Sequence, residues 1–229
     1  MVIDFFTEIL PSAGTRIGML RSNDHGATWT TRPRYAAAIA TVFGIVTPDS
    51  QELVRDASIL FDTAVDDDNG NVYLVWQDVR FHGVDEVAFA MSTDGGHNWS
   101  TPVKINKTPT NSNPLREQVF VPSIEVGKHG ELVVTYYDFR RDTDDGRERA
   151  DHWAVFCDPD DDNCRNPQNW GGERRLTTAS FDVLNAPIAR GYFLGDYMGL
   201  VAAGNKVFPA FGIAEGENLT SIYTRPITP

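Results

Sequence analysis

Two eight-residue segments of this chain, Ser22-Asn23-Asp24-His25-Gly26-Ala27-Thr28-Trp29 and Ser92-Thr93-Asp94-Gly95-Gly96-His97-Asn98-Trp99, carry Ser, Asp, Gly and Trp at matching positions. Trp170 follows Trp99 at almost the same interval that separates Trp99 from Trp29, behind a segment with Asn163, Arg165 and Pro167 where Ser, Asp and Gly would fall. A unit recurring at a fixed interval of this kind means stacked copies of one supersecondary element, a propeller or a solenoid, because a single unit cannot bury its own apolar face. Within each copy the Asp supplies a side chain that hydrogen-bonds its own backbone and the Gly accepts positive φ. The Trp then buries a large ring over the hairpin. Asp24 and Asp94 therefore read as turn-forming residues, not as catalysts or ion ligands.

Hydrophobic period places short strands around these turns. In one unit, strands are expected at 57–65, 72–77, 86–91 and 100–105, with the Asp/Gly/Asn turn 66–71 between the first two. The next unit repeats the order at 120–126, 131–137, 152–156 and 173–177. Four antiparallel strands in about 50 residues make a propeller blade. Aligning the turns also pairs Trp76-Gln77-Asp78-Val79-Arg80 with Tyr136-Tyr137-Asp138-Phe139-Arg140, a second internal echo at an offset of 60. The ends hold fewer strands: 2–9 and 15–21 before the first repeat, then 194–202, 206–211 and 219–224. The chain thus reads as all-β, a single propeller segment over 1–229, with blade units near 1–35, 55–106, 118–178 and 190–229. Three and a half to four blades fall short of a closed ring, so the expected partners include further blades of a longer chain or a second copy.

The pattern Ser-x-Asp-x-Gly-x-Thr/Asn-Trp, formed by Ser22, Asp24, Gly26 and Trp29 and again by Ser92, Asp94, Gly96 and Trp99, resembles the Asp-box of the sialidase (neuraminidase) superfamily. The segment Gly191-Tyr192-Phe193-Leu194-Gly195-Asp196-Tyr197-Met198-Gly199 is similar to one recurring in bacterial sialidase-like proteins. The resemblance implies a six-bladed propeller hydrolysing a terminal acidic sugar, sialic acid, at its mouth, with a non-catalytic glycan-binding or scaffold propeller as the alternative. It further implies an arginine cluster that clamps the sugar carboxylate, a tyrosine nucleophile assisted by a glutamate, and an aspartate acid/base. Within a blade, the Asp-box turns lie on the rim opposite the Asp78/Arg80 and Asp138/Arg140 loops. On the latter rim fall Arg55, Arg116 and Arg190, each ahead of a blade's inner strand, whose planar guanidinium groups suit bidentate carboxylate binding. Tyr197, Asp196 and Glu117 are the expected catalytic groups, Tyr192 joins the three arginines in substrate binding, and Asp56 is a further candidate carboxylate. The repeated Asp78/Arg80 and Asp138/Arg140 pairs read as struts that keep blades in register. The family's Arg-Ile-Pro element is absent.

A net charge of −12 and a pI near 4.7 argue against nucleic acid as a partner, since phosphate binding needs clustered Lys and Arg. No apolar run approaches the ~20 residues of a membrane-spanning helix. The two cysteines, Cys157 and Cys164, are separated by six residues, a spacing expected to close as a disulfide in an exported protein, secreted or extracytoplasmic, whose signal is not visible here. No cofactor or metal is expected. The carboxylates inside the Cys loop read as a solvated turn, with structural calcium held by their hard oxygens as the alternative. Three Asn-x-Ser/Thr sequons occur, at Asn98, Asn106 and Asn218, and Asn98 is expected to serve its turn.

Overall fold

The computed structural model of the chain describes residues 1–11, 14–41, 44–56, 58–160, 163–216 and 218–229. It is all-β, with short 3-10 turns as the only helical elements among the described residues. Sheet I contains β1 (Val2–Ile9), β2 (Thr15–Ser22) and β3 (Arg34–Ile39). A small sheet follows, made of β4 (Ile45–Val46) and β5 (Leu53–Arg55) with a third strand from far along the chain. Sheet II is a four-stranded antiparallel meander of β6 (Phe61–Val65), β7 (Val72–Asp78), β8 (Glu86–Ser92) and β9 (Val103–Lys104). Sheet III orders β10 (Val119–Val126), β11 (Leu132–Asp138), β12 (Arg149–Cys157) and β13 (Gly171–Arg175), and β14 (Phe181–Asp182) also pairs with β12. β15 (Tyr192–Phe193) is the third strand of the small sheet. Sheet IV holds β16 (Gly199–Ala203), β17 (Lys206–Glu215) and β18 (Asn218–Tyr223).

The sheets stack in chain order, and the period-two alternation of each strand divides its side chains between two cores. On β7, Leu74 and Trp76 meet Ile17 and Ile39 of sheet I, whereas Tyr73 and Val75 join Val134 and Tyr136 of sheet III. On β11, Val133 and Tyr137 turn the other way and pack with Val207, Phe211 and Ile213 of sheet IV. Strands β7, β8 and β11 are consequently buried at every residue. β1 and β16 are only partly buried, each packing against one neighbouring sheet among the described residues.

Both eight-residue repeats fold the same way. Gly26 N–H and Gly96 N–H donate to Ser22 Oγ and Ser92 Oγ at 2.7 and 2.8 Å. Asp24 accepts from Thr28 N–H at 2.8 Å and Asp94 from Asn98 N–H at 2.9 Å. The Thr28 hydroxyl and then its N–H hold the Asp24 carboxyl down at about 2, and the Asn98 N–H and side-chain amide hold that of Asp94 lower still. Asn98 Nδ2 donates to Asp94 Oδ2 at 2.7 Å, so this asparagine serves its turn. The tryptophans differ in surroundings. Trp99 meets Phe5 of sheet I edge-on at 6.0 Å, Trp170 meets Phe89 of sheet II at 4.9 Å, and Trp29 is 39% exposed. Where the third repeat has lost its letters, Cys157 and Cys164 are joined by a disulfide, and Trp170 Nε1–H donates to Cys164 O at 2.8 Å. The Cys loop residues Asp161 and Asp162 lie outside the described residues.

Three expectations are corrected. The strand expected from residue 57 starts at Phe61, because Ser58 N–H turns back onto Asp56 Oδ1 at 3.2 Å; Ala57 itself is outside the described residues. Sheet I extends to β3, whose Arg-Tyr-Ala-Ala-Ala-Ile sequence carries little strand signal. The strand expected at 194–202 is divided: β16 begins at Gly199, and Tyr192–Phe193 form β15, which runs parallel to β5 with Tyr192 opposite Val54. The Asp78 and Asp138 pairs act as struts. Asp78 accepts from Arg80 and from Ala40 N–H just beyond β3, and Asp138 accepts from Arg140 and from the Thr108 hydroxyl on the link between sheets II and III.

Two outcomes follow from this packing. Asp94→Ala should lower the melting temperature, whereas Asp4→Ala, which removes an exposed carboxylate without turn bonds, should not; equal melts would refute the turn's role. His152 is fully buried between Tyr137 and Phe211, at 4.3 and 4.5 Å, with neither ring nitrogen partnered among the described residues, and burial pushes its pKa down to about 3. Below pH 6.5 the unfolded chain takes up a proton that the folded chain refuses, so this residue costs stability progressively from pH 6.5 toward 3. Asp85 and Asp138, raised by burial to about 7 and about 6, act in the opposite sense. His152→Phe should therefore gain on the native protein by up to about 1.4 kcal/mol per pH unit as pH falls below 6.5, read by urea denaturation at pH 7 and pH 4. A difference that does not change with pH would overturn this assignment.

Candidate functional site

The parallel pairing of β5 and β15 builds the floor of a cleft of about 500 Å³, a size within the roughly 300–1,000 Å³ typical of small-molecule sites. Gly191 permits it. Its φ is +128°, and a Cβ there would sit 2.8 Å from Leu53 O and 2.9 Å from Arg55 N, so any side chain would push the two strands apart. The pairing brings Arg55 and Asp56 against Arg190 and Asp196, and Leu53 and Leu60 supply apolar wall. A second depression of about 150 Å³ shares Leu60 and Asp196 with the first and adds Asp62, Gln77, Val121 and Tyr197.

Charge in the cleft is mixed and partly spent. Arg55 donates to both oxygens of Asp196, Nε to Oδ1 at 2.8 Å and Nη2 to Oδ2 at 2.5 Å, and its guanidinium lies over the Phe193 ring at 4.6 Å. That bidentate pair raises the Arg55 pKa. Arg190 is exposed and forms no ion pair among the described residues. Its backbone is left-handed, at φ +64°. Asp56 is 5% exposed and accepts from Gln77 Nε2 at 3.0 Å; burial raises its pKa. Asp62 accepts from Ile124 N–H at 3.0 Å and is likewise raised by burial.

Of the residues expected from sequence, Arg55, Arg190, Asp56 and Asp196 meet in the cleft, and Tyr197, 69% exposed, stands beside the adjoining depression. Arg116, Glu117 and Tyr192 do not line it. Arg116 sits on the 3-10 turn Pro114–Glu117 and is held by Asp49 at 2.9 Å and Asp142 at 3.1 Å. Glu117 turns back to accept from Asn111 N–H at 2.6 Å. Tyr192 packs against the core between sheets III and IV. Sequence reading placed Arg116 with the other two because it precedes an inner strand, but three acidic neighbours within 4 Å draw it to the side. Asp62 and Gln77, which line the adjoining depression, were missed. For Gln77 the signal is a polar residue closing the apolar run of β7, informative once that strand is known to be buried along its length.

No protein-family model matches the chain, and no curated protein does. Among solved structures it is similar to Hadza microbial sialidase Hz136, at 16% identity and TM-score 0.50, over 92% of this chain and 38% of that one. It is similar also to Trypanosoma rangeli sialidase, at 13% identity and TM-score 0.51, over 97% and 34%, and to a GH43_12 retrieved from capybara gut metagenome, at 12% identity and TM-score 0.50, over 99% and 37%. The chain thus spans well under half the length of each. At these identities the likeness is one of fold, that of the sialidase-like propeller proteins.

Gly191→Ala should cost about 2 kcal/mol or more and expose the amides of residues 192 and 193 to hydrogen exchange, while Gly171→Ala, at a position with no atom within 4 Å of the added carbon, should do neither. Equal stability of the two variants would show that the close approach of β5 and β15 is not required.

Proposed function

We propose that this chain is part of a glycoside hydrolase-type propeller in which the cleft takes a terminal sugar, and that the sugar is acidic, of the sialic acid class. The observation carrying this reading is the convergence of Arg55, Asp56, Arg190 and Asp196, from two segments far apart in the chain, onto one cleft of small-ligand size. In this reading Arg190, whose guanidinium has no ion pair among the described residues, forks onto the sugar carboxylate. Asp56 serves as the buried carboxylate next to the scissile bond, and Tyr197 is the group positioned to attack the anomeric carbon. A tyrosine suits a substrate that already carries a negative charge beside the reacting carbon. Arg116, Glu117 and Tyr192, held elsewhere, take no part. The sheets act as blades of a ring completed by further blades or a second copy, and the Cys157–Cys164 disulfide supports an extracytoplasmic setting.

A second reading, a glycan-binding module without chemistry, is favoured by one observation: Arg55 is already saturated by Asp196 and Arg116 by Asp49 and Asp142, leaving Arg190 as the unpaired guanidinium among the described residues of the cleft, where a clamp uses several. Calorimetric titration with a sialoside and hydrolysis of its fluorogenic derivative separate the two. Arg190→Ala should weaken binding by at least about tenfold, and Tyr197→Phe should cut turnover by at least about tenfold, both with unchanged melting curves. Binding without turnover would favour the second reading. A sialoside that binds Arg190→Ala as well as the native chain would overturn both.

A further inference from the structure

One side chain of β7 stands between the cleft and the depression beside it. Gln77, 1% exposed, donates through Nε2 to Asp56 Oδ2 at 3.0 Å and accepts through Oε1 from Val121 N–H at 3.0 Å. Asp56 lines the cleft, whereas Gln77 and Val121 line the depression. The Val121 bond settles the amide's orientation, since only the carbonyl oxygen can accept that proton, and so the NH₂ end faces Asp56.

Val121 needs this acceptor. The ladder of β10 and β11 pairs Phe120 with Tyr137 and then Ser123 with Thr135, so Val121 and Pro122 together face Tyr136 alone in a bulge. Pro122 has no N–H to donate, and Val121 is 3% exposed, where an unpartnered N–H is costly. The φ of Val121 is +50°, an outlier for a β-branched residue, and such strain persists only where the surroundings fix it. They fix it from two sides. Gln77 of sheet II takes the Val121 N–H, and the Ser123 hydroxyl donates to Met198 O at 3.1 Å, on the segment that carries Asp196 and Tyr197. Asp56 is likewise held twice, by Ser58 N–H at 3.2 Å and by Gln77.

We propose that Gln77 is the positioning residue of this site: one planar amide sets the cleft carboxylate Asp56 and the depression's wall at Val121 at a fixed spacing, so that the two recesses act as one ligand site and a change at Asp56 reaches Val121. The route is physical. An amide that donates to a carboxylate has a more polarised carbonyl, which strengthens the bond its oxygen accepts, and its rigid plane lets neither end move without the other. The proposal takes from the functional reading only that a ligand enters this cleft.

Hydrogen exchange of the Val121 amide, followed by NMR on the intact chain with the amide of Val75 in β7 as control, tests it. In the native protein Val121 should be protected although it lies outside the strand ladder. Gln77→Met, similar in length but without an acceptor, should speed Val121 exchange by at least about tenfold and leave Val75 unmoved. Asp56→Ala removes no partner of Val121 and should still speed its exchange by at least about threefold, a change that a Gln77 serving the bulge alone would not produce. A bound sialoside should slow Val121 exchange by at least about threefold in the native chain and not in Gln77→Met. An unprotected Val121 in the native protein, protection unchanged in a folded Gln77→Met, Val121 exchange indifferent to Asp56→Ala, or a sialoside that binds and leaves Val121 unmoved would each overturn the assignment. Should Gln77→Met not fold, the native protein and Asp56→Ala decide. A sialoside that fails to bind would remove the functional reading and leave the exchange of the free protein to decide this one, and failure in the free protein would leave the sugar site standing.

Discussion

Edge-on contact between the tryptophan at the corner of one sheet and an aromatic ring of the sheet before it fixes how this protein stacks. Trp99 lies on Phe5 and Trp170 on Phe89, each contact bridging two separate antiparallel units. Such a pair contributes about 1 kcal/mol beyond the apolar area it buries. The turn ahead of Trp99 is pinned by the Ser, Asp and Gly hydrogen bonds, and the corner ahead of Trp170 by the disulfide loop. Two chemically different devices thus serve the same ring placement.

Stacking in turn determines charge. Once sheets II and III are covered on both faces, polar residues at the ends of β7 and β11 are carried into apolar surroundings and must find partners. Asp78 and Asp138 find arginines and become struts. Asp56 finds Gln77, while Asp85 is left with a single weak donor and is pushed toward neutrality. The same desolvation that stabilises the array therefore generates the perturbed acids that give the cleft chemical character.

The paired strands β5 and β15 convert the array into a site. Both are too short to leave a sequence signal, and their parallel pairing joins segments from opposite halves of the chain. Arg55, Arg116 and Arg190 each precede an inner strand in the sequence; Arg55 and Arg190 line one cleft, whereas Arg116 is held by Asp49 and Asp142.

Sequence by itself determined the unit: spaced tryptophans, turn residues of fixed chemistry and strands of period two leave an all-β stack of similar sheets as the consistent solution, since each of these signals is local and repeated. It also marked Arg55, Arg190 and Asp196, and the cysteine pair. Tertiary structure alone decided which arginine stays free, which acids lose water, and that Gln77 reaches Asp56. Those outcomes depend on distances across the stack, and electrostatic energy and desolvation depend on what lies within a few ångströms in space, which neighbouring letters in a chain do not encode.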